Sequence, residues 1–156
     1  MNVRRIVSGL IGIMLSVFLL SGCAGRQDDI EIDVHGLSSE LLSQIAFVDE
    51  LNAVGESVID RIYGIEDYVQ AEVYIGSGAT AEEIAVFEFA DTESAADGLQ
   101  QALERIEDQK ADYEAYIPEE VKKLDRAVVK RYGRYVVVCV SDSEMAEEII
   151  TQYINK

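Results

Sequence analysis

Hydrophobic positions along the chain change period several times, and each change marks a predicted element. Residues 6–20 are uncharged and rich in Ile, Leu, Val, Met and Phe, behind Arg4 and Arg5. A basic start before a short apolar run is the layout of a secretory signal, and this run is shorter than the ~20 residues that a membrane-crossing helix needs. From Cys23 to Glu31 there is little to bury, which predicts a tether ahead of a domain over 32–156. Ile30, Ile32 and Val34 alternate with Glu31 and Asp33, the period of a short strand that His35-Gly36 would end. Leu41, Leu42, Ile45 and Val48 then recur at helical spacing behind Ser38 or Ser39 as N-cap. A second helix carries Val54, Val58, Ile59 and Ile62 and stops at Tyr63-Gly64-Ile65, where Gly64 suits the left-handed position after a last turn.

The clearest alternation follows, with Val69, Ala71, Val73 and Ile75 set against Gln70, Glu72 and Tyr74, so Tyr74 should face outward. After a turn over 76–81, the run from Glu83 to Phe89 alternates less cleanly and reads as a more central strand. Asp91 or Thr92 caps a long helix striped by Ala95, Leu99, Ala102, Leu103, Ile106, Tyr113 and Tyr116, which Pro118 ends. A polar helical turn or two over 119–126 precedes strands 127–132 and 135–141, joined by Gly133-Arg134 as a two-residue hairpin. Ser141 and Glu144 offer a capping box for a closing helix through Ile149, Ile150 and Tyr153. The predicted class is α+β: a mainly antiparallel sheet of two hairpins, each followed by an amphipathic helix, with helices on one face and one or two N-terminal helices. Hairpin-then-helix occurs twice, which either duplication or the commonness of the motif would produce.

Charge changes the picture of partners. The chain carries −17, and removal of Arg4 and Arg5 with the leader takes it to about −19. Such a polyanion is repelled by nucleic-acid phosphates and anionic headgroups, so no nucleic-acid partner is expected. Leu20-Ser21-Gly22-Cys23 fits the lipoprotein pattern: cleavage between Gly22 and Cys23, and a diacylglycerol, whose two acyl chains include palmitate, on the Cys23 thiol. The expected membrane contact is this lipid alone, on the extracytoplasmic side. With Cys23 so used, Cys139 has no partner for a disulfide and reads as a small buried hydrophobe.

Candidate chemistry is sparse. Gly76-Ser77-Gly78 joins two strands without a nearby Lys, which opposes a phosphate loop, and His35 is the single histidine and reads as an exposed loop residue. No cofactor and no metal site is predicted, because His and Cys clusters are missing and no acidic group follows a calcium-loop spacing. Acid pairs Glu82-Glu83, Glu119-Glu120 and Glu147-Glu148 read as solvated surface, with Glu83 the exception to watch because it borders an apolar strand. Tyr74, with Tyr132 and Tyr135 beside the second hairpin turn, could form a sheet face that meets a partner or could cover the sheet edge. The favoured function is a binding or assembly module with a protein or cell-wall partner; the alternative is a small carboxylate-dependent envelope hydrolase led by Glu83.

The lipobox, Tyr63-Gly64-Ile65, the segment 81–87, the helix ending Tyr113-x-x-Tyr116-x-Pro118 and Gly133-x-Tyr135-Val136-Val137 together resemble a family of uncharacterised small surface lipoproteins of Gram-positive bacteria, a domain of unknown function. The resemblance covers most of the mature chain. It implies a cell-surface address and carries no catalytic residues over.

Overall fold

β3 (Glu83–Phe89) and β5 (Tyr135–Val140) lie side by side at the centre of one antiparallel sheet, because they are the strands with apolar residues on both faces. β2 (Tyr68–Ile75) pairs with the outer side of β3, β4 (Val128–Tyr132) with the outer side of β5, and a two-residue β1 (Asn52–Ala53) with the end of β2. The spatial order is β1-β2-β3-β5-β4. This is a computed structural model, and it describes residues 30–156; the signal segment, Cys23 and the tether through Asp29 lie outside the described residues. Among the described residues no helix is long and apolar enough to cross a membrane.

Helices cover both faces, where one was expected. Ala85, Phe87 and Phe89, with Val136, Val138 and Val140, face α2 (Glu56–Tyr63), α3 (Thr92–Tyr116) and α4 (Val121–Asp125). Ile84, Val86, Val137 and Cys139 face the opposite way, under α1 (Val34–Gln44) and α5 (Ala146–Ile154). The blurred alternation of β3 is thus the mark of a strand that must be covered twice, and the resulting architecture is a three-layer α+β domain.

The N-terminal alternation gives a helix instead of a strand. Val34, Leu37, Leu41 and Ile45 are buried at helical spacing, so the stripe extends upstream and five alternating residues are too few to outweigh it. Asp33 takes the N-cap position without a side-chain cap bond. His35-Gly36 falls in the first turn, and Ser38 is buried inside the helix, its hydroxyl donating to the Val34 carbonyl at 2.8 Å. α5 also starts later than its capping box suggests, with Met145 at the N-cap, because the Ser141 hydroxyl accepts the Ser143 N–H at 3.2 Å and closes a turn ahead of the helix.

Other local expectations match the structure. Gly64 sits at φ +64° after α2, and its N–H donates to the Asp60 carbonyl. The Asp91 carboxylate accepts the Ser94 and Glu93 N–H groups at 2.8 and 3.1 Å, which holds its pKa below the usual range. Pro118 opens a short 3-10 turn to Glu120 that leads into α4, and Tyr132 pairs with Tyr135 across Gly133-Arg134. The two hairpin-helix units also differ in direction: α3 and α5 leave to opposite faces. A half-turn about the sheet normal exchanges antiparallel β3 and β5 but preserves faces, so it does not superpose the units.

One glycine sets the distance between α3 and the sheet. A Cβ at Gly98 would stand 2.1 Å from Phe89 Cζ and 2.7 Å from its Cε1, and Phe89 is itself locked in the core. Gly98→Ala is expected to lower the urea midpoint by the equivalent of about 1–2 kcal/mol, because overpacking exceeds the gain in helix propensity. Adding Phe89→Leu should recover part of the loss; an unchanged midpoint in the single variant would refute the close approach.

Candidate functional site

Charge is concentrated where β3 begins. Strand alternation sends Glu83 to the α2/α3 face, Glu82 stands just ahead of the strand, and both are almost fully buried, at 1 % and 2 % exposure. Glu83 accepts from the Tyr63 hydroxyl (2.7 Å), Arg105 Nη2 (2.7 Å) and Gln109 Nε2 (3.2 Å). Arg105 also donates to the Ile62 carbonyl at 3.2 Å and lies 4.7 Å from the Tyr63 ring centroid. Burial and the adjacent Glu83 charge push the Tyr63 hydroxyl well above its ordinary pKa. Burial works against the Arg105 charge, but Glu83 and Tyr63 outweigh it and raise the pKa. The set is not fully satisfied, since Arg105 Nε and Gln109 Oε1 are buried without a partner.

Glu82 gathers a second set of partners. One oxygen accepts the Val48 and Asp49 N–H groups, both at 2.9 Å, and the other meets Lys123 Nζ at 3.2 Å. Lys123 also reaches Glu120 at 3.1 Å, and Glu120 accepts the Ala81 N–H at 2.9 Å. Burial lowers the Lys123 pKa, and hydrogen bonds with Glu120 and Glu82 more than restore it, so the net shift is upward. Two adjacent carboxylates therefore tie four distant pieces of chain to the start of β3: α2, α3, α4 and the segment after α1. The reading of these acids as solvated surface fails for Glu82 and Glu120, because each found a donor inside; Glu83, the exception, is buried, and Glu119, Glu147 and Glu148 are exposed as expected.

A small cavity of about 110 Å³ lies over Glu83, Arg105, Gln109 and Thr80. It shares Gly78 and Tyr113 with a wider open groove of about 420 Å³, walled by Asp112, Tyr116 and Ile117. The Tyr113 hydroxyl donates to the Thr80 carbonyl at 2.6 Å, which pins the 76–80 loop to α3, whereas Tyr116 is 84 % exposed. A third hollow of about 310 Å³ lies between Gly64, Asp67 and the start of α3.

The predicted interaction residues do not form one surface. Tyr74, Tyr132 and Tyr135 pack with the layer under α1 and α5, and Glu83 lies on the opposite side of the sheet. Tyr135 is 1 % exposed, and the Tyr74 hydroxyl is held by Glu72 at 2.8 Å. The rings thus cover the sheet. His35 is exposed, 3.3 Å from a Glu72 oxygen, on a helix where a loop was expected. Cys139 is buried, and burial pushes its thiol pKa up to about 12, as suits an inert core residue. Among the described residues, no group of three or more His, Cys, Asp or Glu is placed to hold a metal ion.

Arg105 and Lys123 are the residues that sequence reasoning missed. Arg105 did leave a signal: it stands three residues after Ala102 and four before Gln109, inside the stripe that α3 turns to the sheet. No curated protein and no solved structure matches the chain. Residues 46–141, from the segment after α1 through β5, match the family described as "Domain of unknown function (DUF4358)", and the chain belongs to that family.

Proposed function

We propose that this chain is a lipoprotein of a Gram-positive envelope, held on the extracytoplasmic face through lipid on Cys23, and that its domain is a binding or assembly module for a protein or wall partner. The address rests on Leu20-Ser21-Gly22-Cys23 behind a basic and apolar leader. Two acyl chains anchor stably, and a chain of formal charge −17 has little other attraction for an anionic membrane.

The observation that favours binding over hydrolysis is the state of Glu83. A carboxylate acting as acid or base must reach a substrate with a proton to give or take. Glu83 is enclosed and held by three donors, Arg105 among them, so it serves the fold. Cys23→Ala is expected to shift the protein from the membrane fraction to the soluble or secreted fraction and to abolish uptake of labelled palmitate. Membrane partition and labelling that persist in the variant would rule out the anchor. In-cell crosslinking with mass spectrometry tests the module, which should yield a reproducible protein or wall-polymer neighbour.

A further inference from the structure

We propose that the open groove at the C-terminal end of α3 receives the ammonium group of a lysine side chain presented by a partner protein. This rests on the reading of the domain as a binding module and assigns that module its contact.

Three independent features converge on the groove. α3 is 25 residues long and has no basic residue in its last turn, so the negative end of its dipole has no cation from the helix itself. The nearest cation upstream on the helix, Lys110, is already engaged by Glu107 at 2.9 Å and Asp125 at 3.2 Å. Next, the groove is walled by Tyr113 and by Tyr116, whose ring is 84 % exposed and contributes almost nothing to the core. A ring face in that position attracts a cation through its quadrupole, and does so best where water is partly excluded. Finally, the polar atoms at the wall accept hydrogen bonds: the Asp112 carboxylate, and the Gly78 carbonyl, which receives only a long 3.3 Å bond from Tyr113.

Chemistry selects the type of cation. A groove lined by a carboxylate residue and a carbonyl as well as by rings favours a primary ammonium, which brings three N–H donors, over a quaternary one, which brings none. An anionic ligand is excluded by the same acceptors and by the field of a chain at −17, which also steers cationic partners toward the domain. The open shape admits a side chain projecting from a larger molecule.

The test uses the full chain in neutral maltoside micelles with Nα-acetyl-lysine methylamide as probe, followed by amide NMR. The probe should bind in the millimolar range and perturb Gly78, Asp112 and Ile117. Tyr116→Ala and Asp112→Asn, both at exposed positions, should each weaken binding by about fivefold, with the rest of the spectrum unchanged. Acetylation of the probe at Nε should abolish binding. Equal binding by the Nε-acetyl probe, tighter binding by the Nε-trimethyl probe or by phosphoethanolamine, or no effect of Tyr116→Ala would each overturn the assignment. In-cell crosslinking separates the two readings: a neighbour captured from a photo-crosslinker at position 116 supports the groove, whereas a neighbour captured only elsewhere overturns the groove and leaves the module standing.

Discussion

Arg105→Met is expected to lower the unfolding free energy by about 3–5 kcal/mol, read as a fall in the urea midpoint by circular dichroism. Methionine keeps most of the volume that the Arg105 stem fills against Tyr63, so the loss isolates the charge. What remains is a carboxylate at 1 % exposure, still bonded by Tyr63 and Gln109 but with no cation. A domain of this size has about 5–15 kcal/mol in total, so the variant should be marginal. Adding Glu83→Gln should restore most of the stability, since the amide still accepts from Tyr63 and leaves no net charge inside. A single variant within 1 kcal/mol of the parent would mean that Glu83 is not desolvated as described.

Lys123→Met should have a comparable effect, about 3–5 kcal/mol, because it leaves both Glu82 and Glu120 enclosed beside each other. The Ala81 and Asp49 N–H groups still bond these carboxylates but cannot neutralise them. The difference should also depend on pH in one direction. The folded pKa of Lys123 lies above its ordinary value of 10.5, so its contribution is complete below that pH and is lost as pH rises through the folded value. Tyr63 acts with the same sign from about pH 10, since its folded pKa is also raised. The parent should therefore lose stability above about pH 10, and the gap between parent and Lys123→Met should narrow there. A gap that stays constant from pH 8 to 11.5 would show that Lys123 is not the group holding Glu82.

Much of the fold was legible because each element carried a strong local signal. The glycine after α2, the Asp91 cap and the Gly133-Arg134 turn are decided by neighbours in sequence and stand as expected. The β2 alternation, by contrast, holds inward only from Ala71 to Ile75: Val69 is 63 % exposed at a register shift, and Tyr74 packs into the layer under α1. The helix in place of the first strand was less legible, since five alternating residues compete with a stripe that becomes obvious only when Val34 is counted with Leu37 and Leu41. Coverage of the second face depends on partners far apart in the chain, α1 and α5 meeting over Ile84 and Val137, and no local pattern records that. The site divides in the same way. Glu83 stood out as an acid on an apolar strand, but its partners Tyr63, Arg105 and Gln109 lie 20 or more positions away. Glu82 gave no such hint, because an acid beside a turn looks solvated until the segment after α1 folds over it.

The sheet gives the domain two poles. Glu31 meets Arg134 at 2.9 Å and Tyr135 at 3.2 Å, so the chain enters the fold beside the β4–β5 turn, next to the end of β3. Gly78, Thr80 and Tyr113 mark the opposite pole, where β3 begins. Six strand steps of about 3.3 Å separate them, roughly 20 Å. Under the proposed anchoring on Cys23, a chain entering through Ile30 would turn this entry pole toward the membrane and the tyrosine groove away from it. On that proposal, inserting or deleting residues ahead of Ile30 would change how far the groove stands from the membrane without changing which pole leads.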